Sequence, residues 1–221
     1  MKKTFIGNWK QNMTLSEVEG WLAEFEHLLE GFSTDLAVVL APPHPYLSVV
    51  SEFAKKYAWL FVAAQDISAF DDGTHTGEVG GNQLKDFAQY CIVGHSERGE
   101  ELDVVLQKVD QTFASGLLPI ICFVEPEKLT AVKRDNAVLL WEDPGNISHE
   151  GVFTPKPVEE IVQGVQKIKE TYGVTEGLIY GGSINRQNAQ ELGKIGELDG
   201  GIAGGASLDP QHFFDLISAF S

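Results

Sequence analysis

Short apolar runs alternate along this chain with longer stretches in which apolar positions recur every three or four residues. The runs are Thr4 to Gly7, Leu36 to Leu40, Leu60 to Ala64, Cys91 to Val93, Leu118 to Val124, Ala137 to Trp141, Leu178 to Tyr180 and Gly200 to Ala203. Many are apolar at consecutive positions, which is how strands buried on both faces read. The first amphipathic stretch runs from Ser16 to about Gly31, with Val18, Leu22, Phe25 and Leu29 on one face. Ser16 followed by Glu19 has the spacing of a capping box. Further helices are expected near 44–57, 82–90, 101–116, 154–173, 185–196 and 209–220. Thr154-Pro155 and Asp209-Pro210 read as helix starts with proline in the first turn. The segment 127–135 has room for only a short helix.

Eight strands, each followed by a helix or a short substitute, imply a parallel sheet with helices outside. An open doubly wound sheet has the same alternation, but eight evenly spaced units favour closure into a (β/α)8 barrel. With 221 residues the barrel is compact, since about 250 is typical. Its fifth helical segment is shortened. No linker or composition break divides the chain, so residues 1–221 are read as one domain.

The formal net charge of −16 argues against nucleic acid as a partner and against anionic membranes. It also sets a condition. An anionic substrate is repelled by the global field, so local cations or backbone donors must attract it. Cys91 and Cys122 lie inside apolar runs without metal-site spacing, which fits buried thiols in a reducing compartment, the cytoplasm. No window approaches the roughly 18 consecutive apolar residues of a membrane span. No metal cluster and no dinucleotide or nucleotide fingerprint appears, so neither a metal nor a cofactor is expected.

In a parallel barrel, reactive groups sit at the C-terminal ends of strands. Here those ends carry Asn8-Trp9-Lys10, Gln65-Asp66, Gly94-His95-Ser96-Glu97-Arg98, Glu142-Asp143, Gly181-Gly182-Ser183 and Gly204-Gly205. One rim thus carries a cation, an imidazole, a carboxylate and two Gly-Gly turns. Such turns let backbone N–H groups approach a ligand closely, and barrels often bind phosphate at the seventh and eighth units. Lys10 supplies local positive charge, and Asn8 can donate to a developing oxyanion.

Together, Asn8-Trp9-Lys10, Gly77-Glu78, Val93 to Arg98, Tyr180 to Ser183 and Gly204 to Leu208 resemble the triosephosphate isomerase family, end to end and in the family's order. The resemblance implies an enzyme that interconverts dihydroxyacetone phosphate and D-glyceraldehyde 3-phosphate through an enediolate. The division of labour between carboxylate and imidazole comes with the family. It implies that Glu142 is the base and that His95 is the electrophile that shuttles protons between oxygens. A helix start after His95 is expected to disfavour the charged imidazole. The resemblance further implies that Lys10 and Asn8 face the enediolate, that Glu97 holds Lys10, and that Ser148, Ser183, Gly204 and Gly205 bind phosphate. It also implies that Ile147 and Ile202 form an apolar clamp that excludes water. The long loop 66–81 implies a homodimer.

Glu142 rests on spacing to Thr154-Pro155. Asp143 is a rival carboxylate, but adjacent residues of a strand point to opposite faces. Replacing Asp143 by proline is expected to leave the behaviour of the lid after Glu142 unchanged or improved, and a loss of folding would show that the register is wrong. Departures from the family pattern cluster after Glu142. Asp143 precedes Pro144, Ser148 stands where a glycine is usual, and Glu150 adds negative charge. Two other readings share these residues: a barrel enzyme for another phosphorylated small molecule, and a catalytically silent relative.

Overall fold

The structure is a computed structural model and describes residues 2–143 and 156–221. Eight parallel strands close into a barrel in the order β1 to β8, with β1 paired to both β2 and β8. The strands are β1 (Thr4–Asn8), β2 (Ala37–Ala41), β3 (Leu60–Ala64), β4 (Tyr90–Val93), β5 (Leu118–Phe123), β6 (Val138–Trp141), β7 (Leu178–Tyr180) and β8 (Gly200–Ala203). All eight coincide closely with the apolar runs. Nearly every residue in them is buried, as strands with two covered faces require.

Two apolar layers follow from the period of two along each strand. The barrel interior is filled by Ile6, Val39, Ala63, Ile92, Ile120, Val138, Leu140, Ile179 and their neighbours. The alternate positions, such as Phe5, Val38, Leu139 and Tyr180, pack outward against the helices. In β6 the inward positions are Val138 and Leu140, so the next inward residue is Glu142, while Leu139 and Trp141 point outward.

The helices are α1 (Leu15–Leu28), α2 (Leu47–Ala54), α3 (Gly81–Leu84), α4 (Leu102–Ala114), α5 (Leu129–Val132), α6 (Val158–Tyr172), α7 (Ala189–Gly193) and α8 (Pro210–Phe220). Asp209 caps α8 by accepting from the His212 N–H. Several differ from the sequence reading. The capping box of α1 is Thr14 with Glu17, not Ser16 with Glu19. A serine-glutamate pair of the right spacing therefore lies inside the helix, two residues beyond the true cap. The helices expected over 82–90 and 185–196 shrink to the short α3 and α7. The stretch 44–57 opens with a 3-10 turn, His44–Tyr46, with Pro45 in its first positions, where a missing N–H costs nothing. The helix start expected at Thr154-Pro155 is not found: those two residues lie outside the described ones, but Lys156 and Pro157 after them are not helical, and α6 begins at Val158 with Pro157 as its N-cap. The fifth segment is short as expected: a 3-10 turn at Pro126–Lys128 and the four residues of α5.

Candidate active site

The ends of β1, β4, β6, β7 and β8 converge on one pocket that is open to solvent. Asn8, Lys10, His95, Glu142, Ser183 and Gly204 are among its lining residues. Gly205 and Ile202 line it too. Ile147 and Ser148 lie outside the described residues.

Lys10 reaches the pocket from a strained backbone, with φ of 51°. A non-glycine residue in that region costs on the order of 1–3 kcal/mol unless its surroundings hold it. Here the Lys10 N–H donates to Asn8 Oδ1 at 3.0 Å, and Gln65 Nε2 donates to the Lys10 carbonyl at 3.0 Å and to the Ala41 carbonyl at 2.8 Å. With Oδ1 engaged, the Nδ2 hydrogens are the donors that Asn8 offers to the cavity. The ammonium of Lys10 pairs with Glu97 Oε1 at 2.5 Å. Glycine at 204 makes room for this side chain: a Cβ there would lie 3.3 Å from Lys10 Cε.

His95 follows Gly94, whose φ of 72° turns the chain at the end of β4. It caps a 3-10 turn, Ser96–Arg98, and its Nδ1 accepts from the Glu97 N–H at 3.2 Å. That contact fixes the neutral tautomer, because a nitrogen that accepts cannot also carry the proton. The ring proton is therefore on Nε2, the nitrogen that faces Glu142 Oε2 at 3.9 Å.

Glu142 is buried, and its N–H donates to the Phe123 carbonyl of β5 at 2.9 Å. Its carboxylate accepts from the Ser96 N–H, at 3.1 Å to Oε1 and 3.3 Å to Oε2, and from the Ser96 hydroxyl. Asp143 turns the other way and takes the Lys156 ammonium. Next to Glu142, burial and then the glutamate's own charge push the Cys122 thiol well above its usual range. A thiol so held is a packing group rather than a nucleophile.

On the opposite side, Ser183 has φ of 27°, and its carbonyl accepts from Asn188 Nδ2 at 3.0 Å. The turn Gly205–Ser207 is anchored by the Trp21 indole, which donates to the Ser207 carbonyl at 3.1 Å. The roles of Ser96, Gln65 and Lys156 were not foreseen from the sequence. Ser96 and Gln65 do stand at polar strand ends, but contacts across 46 and 55 positions leave no local signature. Among the described residues, no group of His, Cys, Asp and Glu is arranged to hold a metal ion.

A family model described as triosephosphate isomerase matches residues 3–220. The chain belongs to the triosephosphate isomerase family. Relatives include the triosephosphate isomerase of Mesomycoplasma hyopneumoniae (strain 232), 35% identical over 244 residues, with 98% of this chain and 99% of the relative covered. Another is that of Thermus thermophilus, 35% identical over 249 residues, with 98% of each covered. Because this chain has only 221 residues, those relatives carry segments that it lacks. The crystal structure of triosephosphate isomerase from Bartonella henselae matches with a TM-score of 0.79 at 24% identity, covering 100% of this chain and 99% of that one, which speaks to the fold alone. As a triosephosphate isomerase by family, the chain interconverts dihydroxyacetone phosphate and D-glyceraldehyde 3-phosphate.

Proposed function

We propose that Glu142 is the base of this isomerisation and His95 the acid. The observation that carries the assignment is the geometry of this pair: a buried carboxylate 3.9 Å from an imidazole whose proton is directed to that side. Glu142 leaves Ser96 and removes a proton from the carbon beside the substrate carbonyl. The electrons of that C–H bond form the enediolate, and the carbonyl oxygen gains negative charge. His95 Nε2–H, the Asn8 amide and the Lys10 ammonium stabilise that charge as it develops. His95 gives its proton to one oxygen and recovers one from the other. Glu142 then returns a proton to the neighbouring carbon, so no oxidant, metal or cofactor is consumed.

The phosphate is read to lie against the backbone N–H groups of Ser183, Gly204 and Gly205, with Lys10 as the nearby cation. Local donors of this kind answer the repulsion set up by a net charge of −16. Ile202 is half-buried at the pocket wall, and on family reasoning it excludes water together with Ile147, which lies outside the described residues. Ser148 is retained as a phosphate ligand on the same family reasoning. The test is a coupled assay with glyceraldehyde 3-phosphate, comparing wild type with Glu142→Gln and Lys10→Met.

We also read the protein as a homodimer built through loop 66–81, residing in the cytoplasm. Supporting the first, residues 70–78 are exposed while the loop is internally braced, with Phe70 stacked on His75 at 4.4 Å. Supporting the second, Cys91 and Cys122 are buried and unpaired thiols. No described helix is long and apolar enough to cross a membrane.

A further inference from the structure

The residue after Glu142 does something that the isomerisation itself does not call for. Asp143 is a buried carboxylate with 3% of its surface exposed. The Lys156 ammonium donates to its Oδ2. Burial of a charged group is costly unless it is paired, so this ion pair carries a definite geometric demand. It also joins two points of the chain that are 13 positions apart.

The pair sits on a rigid floor. Lys156 Nζ lies 6.0 Å over the Trp141 ring, the residue before Glu142. Trp141 meets Tyr180 edge-on with centroids 5.7 Å apart. On its other side it meets Gly164 of α6, where a Cβ would come within 2.4 Å of Trp141 Cη2. The Trp141 carbonyl accepts from the Gly181 N–H at 2.8 Å, and the Glu142 N–H is bonded to β5. The backbone is thus held on both neighbouring strands up to the Glu142 amide. Beyond it, the Asp143 carboxylate is anchored on Lys156.

We propose that Asp143 and Lys156 are a positioning pair for the base: their ion pair fixes the backbone on the C-terminal side of Glu142, so that its carboxylate turns within the pocket without the strand end shifting. Neither residue is among those that line the pocket. Asp143 points outward with Leu139 and Trp141, while Glu142 points inward with Val138 and Leu140. The inference rests on the reading of Glu142 as base. Misplacing a reacting group by about 1 Å can cost on the order of 100-fold in rate, so the pair's effect is expected in kcat.

The test compares Lys156→Gln, Lys156→Arg, Asp143→Asn and the double variant Asp143→Asn/Lys156→Gln with wild type and Glu142→Gln, using glyceraldehyde 3-phosphate. Lys156 is partly exposed, so its variants are expected to fold, and thermal unfolding checks each. The expected result is a fall in kcat of about tenfold or more in Lys156→Gln at nearly constant KM, with recovery in Lys156→Arg. The double variant should be no slower than the worse single one, because a pair that acts as a unit is lost only once. If Lys156→Gln keeps the wild-type kcat while Glu142→Gln is disabled, the positioning role is wrong and the base stands. The positioning role is equally wrong if the fall is not reversed by arginine or if the single losses simply multiply. A wild type without turnover, or a fully active Glu142→Gln, overturns the base assignment and the pair with it.

Discussion

The carboxylate of Glu142 rests on Ser96, which offers it both its backbone N–H, at 3.1 Å, and its hydroxyl. The proposed base and the neighbour of the proposed electrophile, His95, are therefore joined before any substrate arrives. Ser96→Ala keeps the N–H and removes the hydroxyl, leaving a buried carboxylate with one donor fewer. Such a loss costs about 1–3 kcal/mol, readable as a lower urea midpoint. Turnover should fall less than in Glu142→Gln, because the hydroxyl holds the base and does not transfer the carbon-bound proton.

Gln65 holds the Lys10 and Ala41 carbonyls together. Gln65→Leu removes both donated bonds and frees Lys10 to leave its positive-φ conformation. KM is expected to rise several-fold with a smaller change in kcat, since the role proposed for Lys10 is first to attract the anion and then to steady the enediolate. An unchanged KM in steady-state kinetics would show that Lys10 is held by Asn8 and Glu97 alone.

Much of this site was legible in the sequence, for a physical reason. Strands buried on both faces are continuous apolar runs, and where each run meets a polar residue marks the barrel rim. The period of two separated Glu142 from Asp143, and the structure turns the two side chains to opposite sides. Shorter elements were less legible. Helices of four or five residues, such as α3 and α7, derive little from their own periodicity and depend on packing. The cap of α1 was misplaced because Thr14-Glu17 and Ser16-Glu19 share one spacing. Contacts such as Ser96 to Glu142 and Asp143 to Lys156 are made by the closed barrel and have no local pattern to read. That last contact also changes the expectation for Asp143→Pro: it removes a buried partner of Lys156 and should lower kcat.

Behind His95, Glu100 accepts from Lys108 at 2.5 Å and from Arg98 at 2.9 Å. Burial alone would raise its carboxyl, but the hydrogen bonds from Lys108 and Arg98 outweigh it and hold the group below its ordinary value of 4.5. A depressed carboxylate contributes stability that is fully present above the unfolded value and is lost as pH falls through the folded one. Glu100→Gln should therefore be less stable than wild type at pH 7. The difference should shrink as pH falls below about 4.5, in urea titrations at each pH. A constant difference would remove Glu100 from the acid dependence.

Phe70 is 52% exposed and stacked on His75, an apolar surface on a braced loop. Phe70→Asp should move the protein toward a monomer in sedimentation equilibrium. A wild type that sediments as a monomer would contradict the role given to loop 66–81.

In the proposed mechanism Glu142 carries the proton between adjacent carbons of a triose phosphate. The most direct measurement of that role is turnover of glyceraldehyde 3-phosphate in a coupled assay, wild type against Glu142→Gln. A positioned general base contributes about 100- to 10,000-fold, so the variant should lose kcat on that scale while remaining folded. Absence of turnover in the wild type, or an undiminished kcat in Glu142→Gln, would contradict it.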